Sequence, residues 1–148
     1  MLRTYWGVIM VPVKIKITYD YSMPTAIGRI YSEKVLKEAF NSPAFKELCD
    51  HKAVPILDDP YNILGAAEFD LNKQEVTGYG VISNPTLIDA IRNNPEKFAV
   101  TLAGSGNFTY NESSEFAIVD DFNISHASLM DKNSCGIANA KIEVLDED

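Results

Sequence analysis

The run Phe98-Ala99-Val100-Thr101-Leu102-Ala103-Gly104-Ser105-Gly106-Asn107-Phe108 carries two hydroxyls, Thr101 and Ser105, on what reads as an apolar strand entering a Gly-Ser-Gly turn. Little side chain covers the backbone at such a point, which suits a nucleophile and suits a β-bulge equally. A hydroxyl attacks at neutral pH only with a base within hydrogen-bond reach. The chain holds two histidines, His51 and His126. His51 follows Leu48-Cys49-Asp50 at the end of a helical pattern, where a solvated imidazole is favourable at the dipole. His126 lies in an apolar strand pattern, and its ordinary role there is a bond to a neighbouring carbonyl. Ser105 has Ala103 and Asn107 where a G-x-S-x-G elbow needs glycines. No Lys-Ser/Thr follows the glycines, so they form no phosphate loop.

Other chemistry-bearing residues are sparse. The adjacent acids Asp58/Asp59 and Asp120/Asp121 lack the alternating oxygen spacing of a calcium loop. Turn formation before Pro60 accounts for the first pair, and solvation at a strand edge for the second. Cys49 and Cys135 lie far apart, match no metal-ligand spacing and read as free thiols in a reducing compartment. No motif calls for a metal or a cofactor.

The elements that must position these residues follow from pattern. Val11, Val13, Ile15 and Ile17 alternate within a strand over 8–19, and Tyr19 to Pro24 is turn-rich. Ser32 caps a helix, Glu33 to Phe40, with opposite charges at Glu33/Lys37 and Lys34/Glu38. Ser42 and Pro43 start a second helix that runs to about Cys49. Val54 to Leu57 is a strand, and 63–71 with 75–83 is a hairpin turning at Asn72-Lys73-Gln74. Gly78 and Gly80 share one face and mark close packing or a barrel bend. A helix over 85–93 capped by Asn84, the strand around Thr101, a strand pair or kinked strand over 115–130, and a last strand over 137–145 complete the chain. The aromatics Tyr5, Trp6, Tyr19, Tyr21 and Tyr31 fit core and barrel-end packing best, with a docking surface as the alternative.

A chain of 148 residues fits one domain, with an N-terminal strand and link over 1–23 and an acidic tail at 146–148. The pattern predicts an α+β fold, mainly an antiparallel β-barrel or half-barrel with two or three covering helices. Thirteen basic and 21 acidic residues give a net charge of −8, which speaks against nucleic acid as the main partner. No stretch approaches the roughly 20 apolar residues of a membrane helix. The apolar start at Tyr5 to Val13 runs into strand-like Lys14-Ile15-Lys16-Ile17 rather than a signal-peptide cleavage site. An intracellular location is expected.

The order of segments resembles the prohead proteases of tailed bacteriophages, the capsid-maturation peptidases related in fold to herpesvirus assemblins. Gly28-Arg29-Ile30-Tyr31 with Val35-Leu36-Lys37-Glu38-Ala39 is similar to the family's G-x-x-Y…L-x-x-A entry to its first helix. Val54 to Pro60 resembles the strand ending in Asp-His-Pro that supplies the catalytic histidine. Thr86 to Gly106 resembles the helix and V-S-x-x-G-x-G strand that supply the serine. Asn123 to Leu129, then Ala138-Asn139-Ala140-Lys141-Ile142, resembles the closing strand and its tail.

The resemblance implies a prohead-protease-like fold and catalytic positions at Asp59, Thr101 and His126. Two of these depart from the family: Asp59 stands at the histidine and Thr101 at the serine. A carboxylate with an ordinary pKa near 3.9 is a weak base for a hydroxyl proton. Threonine's methyl stiffens χ1 and crowds the attack path. The expectation is a phage head protein that has lost catalysis and acts structurally in capsid assembly or decoration. It would associate with capsid or scaffold proteins and with itself, in the host cytoplasm during assembly, with the virion as a further location. The alternative is an active, divergent serine- or threonine-type maturation protease, with Ser105 as substitute nucleophile and His51 as substitute base.

Overall fold

The computed structural model describes residues 3–5, 8–58, 62–110 and 115–145, with 3–5 and 8–10 given as strands only. β1 (Arg3–Tyr5) and β2 (Val8–Met10) pair as a hairpin of their own. The strand expected over 8–19 is therefore two. Val11-Pro12 separates β2 from β3 (Val13–Asp20), as a proline without an N–H interrupts a ladder.

β4 (Arg29–Ile30) precedes two helices that begin where their caps predict. The Ser32 hydroxyl accepts from the Val35 N–H at the start of α1 (Glu33–Phe40). Pro43 opens α2 (Pro43–Asp50), and Phe45 anchors it in the core at 1% exposure. That burial contributes roughly 1.5–3 kcal/mol. β5 (Val54–Asp58), β6 (Asn62–Asn72) and β7 (Glu75–Ile82) form an antiparallel meander. Its tight turn places Lys73 at φ 59°. α3 (Pro85–Asn93), capped by the Asn84 side chain, leads through a 3₁₀ turn into β8 (Phe98–Ser105).

β9 (Phe108–Tyr110), β10 (Ala117–Val119), β11 (Asn123–Asp131) and β12 (Lys141–Val144) follow. Residues 115–130 thus hold two strands in different sheets. The final strand is shorter than 137–145, because Ala140 turns back to bond the Ile137 carbonyl.

Seven strands in the order β12-β3-β7-β6-β5-β11-β8 make one curled sheet, a half-barrel in an α+β fold. All neighbours are antiparallel except β5 and β11. Val13, Ile15, Ile17 and Tyr19 face inward with Val76, Phe69, Ala67, Val54, Ile56, Ala127, Val100, Leu102 and Ile142. Gly78 lies opposite Phe69, whose ring occupies the space a Cβ would need, so the glycine reflects close packing. The edge strands β8 and β12 approach each other. Where the sheet stays open, the Tyr19 hydroxyl accepts a bond from the Leu102 N–H of β8 at 2.9 Å. A second, three-stranded sheet, β4-β10-β9, stands beside this body. No helix among the described residues is long and apolar enough to cross a membrane.

Candidate functional site

Adjacency of β5, β11 and β8 brings most of the expected site to one region. Ser128 of β11 pairs with Leu57 of β5 on one side and Thr101 of β8 on the other. His126 pairs with Ala103, so it shares Thr101's face and stands diagonal to it. Diagonal partners in a sheet lie about 7–8 Å apart, within reach of a ring such as imidazole, yet the His126 ring bonds Ser125 and not Thr101. Thr101 is buried, only 8% exposed, and points away from the inward-facing Val100 and Leu102. Asp59, one residue past β5, lies outside the described residues.

Neither histidine bonds Thr101 or Ser105 among the described residues. His51 caps the C-terminus of α2 and is exposed, with its backbone N–H bonded to the Glu47 carbonyl. His126 bonds a different hydroxyl: its Nδ1 lies 2.8 Å from the Ser125 Oγ. The contact was not legible from strand alternation, because adjacent strand residues point to opposite faces. A β-bulge between Ile124 and His126 inserts Ser125 as an extra residue and turns it beside the ring. The Ser125 hydroxyl can also donate to the Ala103 carbonyl at 3.5 Å. No carboxylate among the described residues bonds His126 as a triad's acid would.

Ser105 ends β8 at its pairing with Asn123 and is exposed. The flanking glycines answer to packing. A Cβ on Gly104 would collide with the Asn123 carbonyl oxygen, and one on Gly106 with that of Asp121. The acid pair that follows builds the same turn. Asp121 accepts from the Asn107 N–H at 3.1 Å and from Asn107 Nδ2 at 2.9 Å, while Asp120 accepts from the Thr109 hydroxyl at 2.6 Å. Asp120/Asp121 therefore serve as turn acceptors, a role beyond the strand-edge solvation read from sequence. The cleft beside Ser105, lined by Arg29, Tyr31, Asn107 and Phe122, measures about 80 Å³. Ligand sites run to about 300–1,000 Å³, so a peptide substrate does not fit there.

A larger groove of about 460 Å³ runs along β12, lined by Lys16, Pro95, Lys132, Lys141 and Ile142. It contains none of the candidate hydroxyls or histidines. Cys49 and Cys135 are free and half-buried, and burial pushes the Cys49 thiol up from its ordinary pKa, away from thiolate chemistry. Tyr19 and Tyr21 are buried at 3% exposure each, in the packing role expected of them, and Tyr31 stacks against Tyr21. The side chains of Tyr5 and Trp6 lie outside the described residues.

No known protein-family model, curated protein or solved structure matches this chain.

Proposed function

We propose that this chain is a bacteriophage head protein with a prohead-protease-like half-barrel that has lost catalysis and acts by binding capsid or scaffold chains. The segment order supports the reading, and so does the adjacency of β5, β11 and β8, which lines up the strands carrying the resembling positions. One observation carries the loss of catalysis: Thr101 is buried and neither histidine bonds it. A hydroxyl without a base stays protonated and weakly nucleophilic. The net charge of −8 suits a partner with a basic face. Mixing the purified protein with the capsid and scaffold chains of the same phage tests this. Co-sedimentation with uncut chains is the expected outcome, and processing of either chain refutes it.

A second reading keeps a maturation protease, and the Ser125–His126 contact at 2.8 Å is the observation that favours it. It needs a base whose ring is held in place and a cleft for a peptide, and among the described residues the Ser125 hydroxyl bonds the imidazole and a carbonyl. A fluorophosphonate probe separates the two readings, since a working serine is labelled and a structural one is not.

A further inference from the structure

We draw no further inference here: the strongest candidate, the groove of about 460 Å³ along β12, carries none, since Glu96 and Glu143 offset Lys16, Lys132 and Lys141 on its walls and nothing in the structure shows what covers it.

Discussion

The Tyr19 hydroxyl accepts a hydrogen bond from the Leu102 N–H at 2.9 Å, and so ties β3 to the open edge of β8 across the half-barrel. The bond does what a further strand would do in a closed barrel: it satisfies a buried backbone donor. Tyr21 supports it, with its hydroxyl 3.2 Å from that of Tyr19 and its ring packed edge-on.

Tyr19→Phe keeps the ring and removes the acceptor. Leaving a buried N–H unpaired costs about 1–3 kcal/mol. Urea unfolding should show that loss, with the slope unchanged. An unaltered midpoint would mean that water or a shifted backbone satisfies Leu102.

Alkaline pH tests the same pair from another side. Burial pushes both tyrosines well above their ordinary pKa of 10.0. Above pH 10 the unfolded chain releases these protons while the folded chain keeps them, so folding loses stability as pH rises. Stability is therefore full below pH 10 and declines above it. Denaturant midpoints from pH 8 upward should fall more gently in Tyr19→Phe and Tyr21→Phe than in the parent protein.

Gly78 and Phe69 form a cross-strand pair in which the ring takes the space of the missing side chain. Gly78→Ala should destabilise by about 1–3 kcal/mol through overpacking. Combining it with Phe69→Leu should recover part of that loss, and a double-mutant cycle measures the coupling. Additive losses would show that the ring has room to move.

Thr101→Val probes whether the buried hydroxyl has a job. No hydrogen bond of its side chain to a histidine holds it, so removing the oxygen at nearly constant volume should change stability by less than about 1 kcal/mol. A loss above about 3 kcal/mol would reveal a bonded network at this position.

Much of this architecture was legible in the sequence. Ser32, Asn84 and Pro43 marked helix starts by satisfying or lacking terminal N–H groups, and the alternation from Val13 to Tyr19 gave β3 its inward face. What stayed hidden depends on long-range pairing. Nothing local says that β10 leaves the main sheet to join β4 and β9, or that Ala140 turns before β12 starts. At the site, the strands of Thr101 and His126 were legible, whereas the Ser125–His126 contact depends on a bulge that no alternation rule foresees. In sequence Gly104-Ser105-Gly106 suits a nucleophile and a bulge or turn serine alike, and its glycines are explained by carbonyls of the facing segment.

The central claim is that this scaffold binds without cutting. The most direct measurement is mass spectrometry of capsid and scaffold chains of the same phage after incubation with the purified protein, alongside fluorophosphonate labelling. The account predicts intact chains recovered in complex and no labelled serine. Time-dependent cleavage that disappears in Ser125→Ala or Thr101→Val would contradict it.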